Sequence, residues 1–376
     1  MHSKGLITLA VASVCAASTA QASTFSTDAR SMGMGNTGVV TADFLTAPFH
    51  NPALGAAYRA EDDIGLLIPA IGVTVQDSDD ALAMIDDVQD HYDSMGRLPS
   101  QEEYDTLDQY LNDLSGAKPI NVNGGIAFSI SIPNQYASVN VFSSTYVEIM
   151  ANPLIGDEAN AKKRYENSEV ALTGFGVAEF GLALSKEYIL KEQKFSFGIS
   201  PKLQELRTYS DVTSLDDFDI DDYEDSEVSD TVFNVDVGAV WYKDNWRVGL
   251  VGKNLIKQEI ETKNSHLTYE LAPKVTIGGG YITELFTVSL DADLTSQERF
   301  SMSSNATQFV RAGIEFNAWG WAQLRAGYET DLEDNLEDSM NAGLGISPWD
   351  IVSFDLAASY AGDNQFGVSA NLALTF

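Results

Sequence analysis

From about residue 60 to the end, apolar and polar side chains alternate in short segments, and the last segment shows the pattern most plainly. In "NQFGVSANLALTF", Phe376, Leu374, Leu372, Ala370, Val368 and Phe366 share one face, while Thr375, Ala373, Asn371, Ser369 and Gly367 share the other. A period of two predicts a strand. In 286–294, Phe286, Val288, Leu290, Ala292 and Leu294 lie opposite Asp291 and Asp293, and 352–360 carries Asp355 on its polar face. In 231–241, 246–253, 308–318 and 322–328 the polar face holds Asp236, Arg247, Lys253, Arg311, Glu315 and Arg325, and the opposite face is uncharged.

Fourteen strands are predicted, starting near residues 62, 120, 135, 168, 193, 229, 245, 266, 284, 306, 320, 337, 350 and 364. Their connections alternate in kind. "PNQ", "KDN", "TE", "NAWG" and "SPWD" are short, with "KEYILKEQ" a little longer; the stretches near 77–119, 148–167, 209–228 and 295–305 are long and polar. Turns at one end and loops at the other predict an all-β fold, a 14-stranded antiparallel transmembrane β-barrel, closed so that no sheet edge meets lipid. The uncharged stripe then faces acyl chains and the charged stripe an enclosed lumen. A soluble β-sandwich would also alternate, but its core would hold tryptophan in mid-strand. Here Trp241, Trp246, Trp319, Trp321 and Trp349 all lie within a few residues of a short turn, where membrane barrels place their interface aromatics.

Composition narrows the class. Lys4, the apolar run from Leu6 to Ala17 and Ala20-Gln21-Ala22 predict an export signal over residues 1–22. No later stretch holds eighteen consecutive apolar residues, so spanning helices are not expected. Cys15 lies inside the signal, and the processed chain therefore has no thiol for a disulfide or a cysteine metal site. With 55 acidic against 22 basic residues, a net charge of −33, binding to nucleic acid through its phosphates is excluded. His50, His91 and His266 have no nearby serine suggesting a triad, and adjacent Ser265 and His266 would point to opposite faces of a strand. No catalytic residue, metal site or cofactor is expected.

Residues 23–58 do not alternate; Gly33, Gly35 and Gly38 among small neighbours predict tight turns or close backbone approach. A dinucleotide fingerprint fails because no strand precedes these glycines. In the first long connection, Pro99, Ser100 and Glu103 read as a capping box ahead of a stripe of Leu107, Leu111 and Leu114, and a shorter stripe spans 79–92. Two helices there would be a lid on the barrel mouth or a capture groove. The run "DDFDIDDYEDSEVSD" begins like a calcium loop but has Asp222 where glycine is needed and Val228 where the closing glutamate belongs. A solvated loop or a weak divalent-cation site are its two readings.

The pairing of "SMGMGNTGVV" with "HNPA", including Asn51, Pro52 and Ala53, resembles the N-terminal hatch of the FadL family of outer-membrane hydrophobic-compound transporters. "WRVGLVGKNL", "APKVTIGGGY", "LRAGYETD" and "NAGLGI" are similar to segments of PorV-type barrels, and "DARSMGMGNTGV" resembles the start of the TraF-like conjugal-transfer proteins. The cysteine-containing thioredoxin-like TraF of F-type conjugation is a different fold. The resemblance implies an N-terminal hatch at 23–58 and a barrel at 59–376, with a helical extracellular insertion at 77–119 and an acidic loop at 209–228. It implies export to a Gram-negative outer membrane, with Phe376 as the barrel-insertion signal. The partners implied are outer-membrane lipid and lipopolysaccharide, the insertion machinery and a hydrophobic small molecule. The alternative is a docking component contacting proteins of a conjugal-transfer or secretion-type surface apparatus.

Overall fold

Every strand of the wall hydrogen-bonds to a neighbour on each side. The computed structural model describes residues 27–218, 226–263, 267–298, 300, 306–348 and 351–376. Residues 1–22, Trp349, Ser265, His266 and the 219–225 part of the acidic run lie outside the described residues. The barrel is built from β1 (Gly65–Gln76), β2 (Ile120–Ile132), β3 (Ser138–Leu154), β4 (Glu169–Leu190), β5 (Gln193–Ser214), β6 (Val228–Lys243) and β7 (Trp246–Lys253). A small hairpin, β8 (Gln258–Glu261) and β9 (Thr268–Leu271), interrupts the series before β10 (Lys274–Ile282) and β11 (Phe286–Asp293). The wall then continues with β12 (Phe309–Ala318), β13 (Ala322–Asp331), β14 (Ser339–Ile346), β15 (Val352–Gly362) and β16 (Gln365–Thr375). Fourteen strands close the barrel, because β1 pairs antiparallel with both β2 and β16, while β8 and β9 pair with each other in a separate two-stranded sheet.

The two stripes sort as a barrel in lipid requires. Leu184, Ile199, Leu250, Leu290, Ile314 and Leu356 are exposed on the outside, whereas Asp291, Arg311, Glu315, Arg325 and Asp355 are buried. In water this arrangement would expose the oily groups and hide the charged ones; an acyl-chain solvent outside and a polar interior make both placements favourable. Among the described residues no helix is long and apolar enough to cross a membrane.

Three expectations need correction. The strand expected to start near 266 is β9, a piece of the separate hairpin, and the wall strand begins at Lys274. Tyr269 and Leu271 alternate as strand residues do, but their burial comes from folding inward over the lumen: Tyr269 stacks on Phe175 at 3.5 Å, and Thr208 Oγ1 donates to the Glu261 carbonyl at 2.9 Å. Secondly, "KEYILKEQ" is strand almost throughout. Leu190 pairs with Gln193, leaving Lys191 and Glu192 as a two-residue turn with φ of 49° and 63°. That geometry usually attracts Asn or Gly, and neither marks it here. Thirdly, residues 148–154 continue β3 and 209–214 continue β5, so these two connections are 155–168 and 215–227 rather than 148–167 and 209–228.

At the loop end, 77–119 between β1 and β2 contains two helices, Ala81–Ser94 and Gln101–Ser115, the second with the Ser100–Glu103 capping box in place. Their buried Ile85, Val88, Leu107, Leu111 and Leu114 pack on Val75, Val122, Ala151 and Leu172 of the strands below, together with Tyr165 of a short helix at Ala161–Glu166. These helices and the hairpin cover the mouth above β1 to β6. The β13–β14 and β15–β16 connections, 332–338 and 363–364, are short.

Leu290 stands in the middle of β11 on the outer face. Replacing it with arginine should cost about 2–4 kcal/mol if that face lies at the bilayer midplane. Urea unfolding of protein refolded into lipid vesicles, followed by tryptophan fluorescence, measures it; an unchanged unfolding free energy would place Leu290 outside the hydrocarbon.

Candidate functional site

Residues 27–58 fill the lumen. Two short helices, α1 (Ala29–Gly33) and α2 (Ala47–His50), and a 3-10 turn at Pro52–Ala56 are its regular elements. Asp28 caps α1 by accepting from Ser31 N at 2.9 Å, and Asn51 caps the 3-10 turn by accepting from Ala53 N at 3.1 Å. The two ends of this hatch are tied together. His50 Nε2 lies 2.6 Å from Asp28 Oδ2 and 3.0 Å from Ser31 Oγ, and Asn51 Nδ2 donates to the Val39 carbonyl at 2.9 Å. This explains why "SMGMGNTGVV" and "HNPA" occur as a pair: the second motif clasps the first. Serine and aspartate both meet the same imidazole nitrogen, so the trio lacks the relay of a nucleophilic triad, which needs the two ring nitrogens on separate partners.

The wall holds the hatch through side chains. Among the described residues no backbone-to-backbone hydrogen bond joins 27–58 to a barrel strand. Instead Asp291 Oδ2 accepts from Gly38 N and Val39 N at 2.8 and 3.0 Å, and Asn371 Oδ1 accepts from Ala29 N at 2.9 Å. Lys253 Nζ donates to the Phe49 carbonyl at 2.8 Å and Arg247 to that of Val40 at 3.2 Å. Ser129 Oγ donates to the Leu45 carbonyl at 2.6 Å and Asn140 Nδ2 to that of Phe44 at the same distance.

A circuit of charges surrounds α1. Arg30 grips Glu315 with both ends of its fork, at 2.9 and 3.0 Å, and Glu315 also receives Arg325 Nε at 2.7 Å. Arg325 in turn contacts Asp355, which accepts from Asn371 Nδ2 at 3.0 Å, and Asn371 returns to the start of α1. A second group, Arg311 with Asp293 and Glu329, reaches the hatch through Asn36, whose Nδ2 donates to Glu329 at 3.1 Å. Asp236 takes Lys202 at 2.8 Å and Asn254 N at 2.7 Å, both of them groups of the wall.

The nine charges expected in the lumen do different work. Arg247, Lys253, Asp291 and Glu315 touch the hatch by hydrogen bond, Arg325, Arg311 and Asp355 act through one intermediary, and Asp236 and Asp293 organise the wall. Of the hatch glycines, Gly35 has a φ of 66° and lies so close to Gly327 that a Cβ on Gly327 would come within 2.0 Å of Gly35 N. Gly33 likewise rests on Gly343, and Gly38 on the His50 ring. The backbone of Pro52 and Ala53 presses on Gly198 and the side chain of Asn51 on Gly238, so glycines in the wall make room for the hatch. Trp241, Trp246, Trp319 and Trp321 sit at the short-turn end, the last two stacked at 6.0 Å, and the exposed Phe376 ends the same rim.

Several hatch-binding residues carried no signal in the charge pattern. Ser129, Ser131, Asn140 and Asn371 are neutral, and only their alternation with apolar neighbours marked them as lumen-facing.

Two cavities meet the hatch from opposite ends. On the loop side a vestibule of about 640 Å³ lies among Lys118, Asn121, Asn335 and Glu337, and it shares Gln76, Leu336, Glu337 and Gln365 with a pit of about 70 Å³ that ends on Met32 and Asn36. On the turn side a cavity of about 430 Å³ is lined by Arg30, Asp43, Phe44, Glu315 and Arg325.

The family described as "F plasmid transfer operon, TraF, protein" matches residues 48–293. Three solved barrels are similar in fold. The toluene transporter TodX of P. putida is 11% identical, over 93% of this chain and 98% of that one, with a TM-score of 0.53. The toluene transporter TbuX of Ralstonia pickettii is 9% identical over 93% and 98%, with a TM-score of 0.55. The CymD monoaromatic hydrocarbon channel is 10% identical over 93% and 97%, with a TM-score of 0.55. At these identities the likeness is one of fold. No curated protein sequence matches this one.

Two substitutions should unseat the hatch without dismantling the wall. Gly327→Val fills the space taken by Gly35, and Asp291→Ala leaves two buried amides unpaired, at about 1–3 kcal/mol each. In planar bilayers both variants should show a steady ion leak that the parent protein lacks, while heat-modifiable migration on gels shows an intact barrel. A parent-like conductance in both would mean that these contacts do not seat the hatch.

Proposed function

We propose that this chain, which belongs to the family of F plasmid transfer operon TraF proteins, is an outer-membrane channel that binds a small molecule with an apolar body and passes it through a barrel gated by the hatch. The observation that carries this reading is the position of α1. Met32 lines the pit beneath the loop-side vestibule, while Arg30, two residues away, lines the turn-side cavity. One short helix is thus the partition between two water-accessible ends. Because side chains hold it, it is free to shift without breaking the sheet. The fold shared with toluene and monoaromatic hydrocarbon channels supports the same reading.

A sideways release route would suit an apolar cargo. The pairing of β1 with both neighbours is interrupted between Leu67 and Ala70, around Pro69, and the β4–β5 ladder skips between Gly181 and Leu184 opposite Pro201. Proline supplies no amide donor, so the wall is weakest at these two places. The inner side of both is apolar, with Phe44, Leu45, Phe49, Leu67, Phe142 and Ala183 in one cluster. In this account residues 1–22 direct export, Phe376 serves barrel insertion, and the rim tryptophans sit at the lipid boundary, with lipopolysaccharide around the loop end.

The family's description favours a second reading, a docking component of a surface apparatus for DNA transfer. Uptake of labelled toluene, alkanes and fatty acids by cells with and without the gene separates the two. The channel reading expects slower uptake of at least one compound in the deletion strain. Unchanged uptake across the panel together with impaired DNA transfer would replace it with the docking reading.

A further inference from the structure

The loop-side pit is not the apolar pocket that a plain hydrocarbon would select. Its walls include Gln76 and Asn123 of the first two strands, Glu329 of β13 and the hatch residue Asn36, with Tyr146, Phe309 and Met32 supplying apolar surface. Two of the amide oxygens, Gln76 Oε1 and Asn36 Oδ1, are shut off from solvent and accept no hydrogen bond, and so is Asn341 Oδ1 nearby on β14. For Asn36 the assignment of oxygen and nitrogen follows from chemistry, because the Nδ2 group donates to the Glu329 carboxylate at 3.1 Å and only the oxygen is left over. Asn36 also has a φ of 60°, a backbone setting that asparagine tolerates better than most side chains and that fixes it at the hatch tip.

The charges around this side have one dominant sign. Asp334, Glu337 and Asp338 line the vestibule and Glu329 the pit. Among the described residues lining either, the single cation is Lys118, and Glu337 holds it at 2.9 Å. A carboxylate ligand would therefore meet acceptors and anions with no unengaged cation, which is unfavourable on both counts.

We infer that the pit is a subsite for a ligand whose head group donates hydrogen bonds, a protonated amine above all, attached to an aromatic or aliphatic body that occupies the vestibule. The inference rests on the channel reading and names its substrate class. Two orphan oxygens accept from such a head group, and Glu329, which Arg311 already holds at 2.6 Å, has lone pairs left to add a further acceptor. Hydrocarbons and carboxylates cannot match this. Both oxygens are covered while the hatch is seated. The donor reaches them as the tip shifts, so its binding favours the displaced hatch over the seated one.

Equilibrium dialysis of the full-length protein in lipid vesicles, with empty vesicles subtracted, should be run with benzylamine, toluene and benzoate at pH 7. Benzylamine should bind about tenfold more tightly than either of the others, the increment expected of a hydrogen-bonded charged group. Asn36→Gly, which suits the positive φ, and Gln76→Met, which keeps the size, should each remove most of that preference, read as the ratio of benzylamine to toluene binding in the same variant. Benzoate binding as tightly as benzylamine, equal binding of all three, no binding of any, or a preference that survives both substitutions would overturn the inference. Equal binding accompanied by toluene uptake in cells would leave the channel reading standing. A benzylamine preference without any gene-dependent uptake would support the subsite and remove the channel.

Discussion

Lipid leaves no backbone amide or carbonyl of the wall free, and the rest of the structure follows from that constraint. Apart from the interruptions around Pro69 and opposite Pro201, the closed barrel uses the backbone groups of its spanning strands in its own ladders. A segment folded inside the lumen then finds no strand edge to join. Its own amides and carbonyls still need partners, since a buried unpaired group is costly. The wall answers with side chains: Asp291, Asn371, Lys253, Arg247, Ser129 and Asn140 each satisfy a hatch backbone group. The charged stripe of the strands is in this sense the second half of the hatch's secondary structure.

The same division of labour makes the hatch separable. Strand ladders are long and cooperative, whereas side-chain contacts break a few at a time. Arg30, Glu315, Arg325 and Asp355 form a circuit in which each carboxylate sits between donors, so the charges are neutralised locally and the lumen stays polar without being strongly repulsive. Ion pairs of this kind contribute little net stability compared with apolar packing, but they specify position, because a displaced partner leaves a buried charge alone. Glycines at 313, 327, 343 and 198 let the hatch backbone lie directly on the wall, and that contact is steric rather than bonded. A part held this way is positioned firmly and released without tearing the sheet.

Much of this was legible in the alternation of residues. The last strand, the segment with Asp291 and Asp293, and the segments holding Arg311 and Arg325 show in letters which face meets lipid. The barrel's strand number followed from the rhythm of turns and loops, although the stretch near 266 reached fourteen by a compensating error, since β9 has strand periodicity and a different partner. Periodicity reports that a residue is in a strand; it carries no information about which edge the strand joins. The Lys191–Glu192 turn was hidden because neither residue is one that the geometry favours. The hatch site was legible only in part. Charged lumen residues stood out, whereas Ser129, Asn140 and Asn371 act through neutral groups that look like any polar strand position. The clasp of Asn51 on Val39 joins residues whose relation no local pattern encodes, and only the co-occurrence of two motifs hinted at it.

The central claim is that the hatch and the wall are separate cooperative units, joined through side chains. Native-state hydrogen exchange on the protein in lipid tests this most directly, by comparing the amides of Ala29, Gly38 and Val39 with those in the middle of β11 and β12. The account predicts that the hatch amides exchange through a local opening of distinctly lower free energy, while the strand amides exchange far more slowly. If hatch and strand amides exchanged together, with one common free energy and one response to denaturant, the hatch would be part of the wall and the account would be wrong.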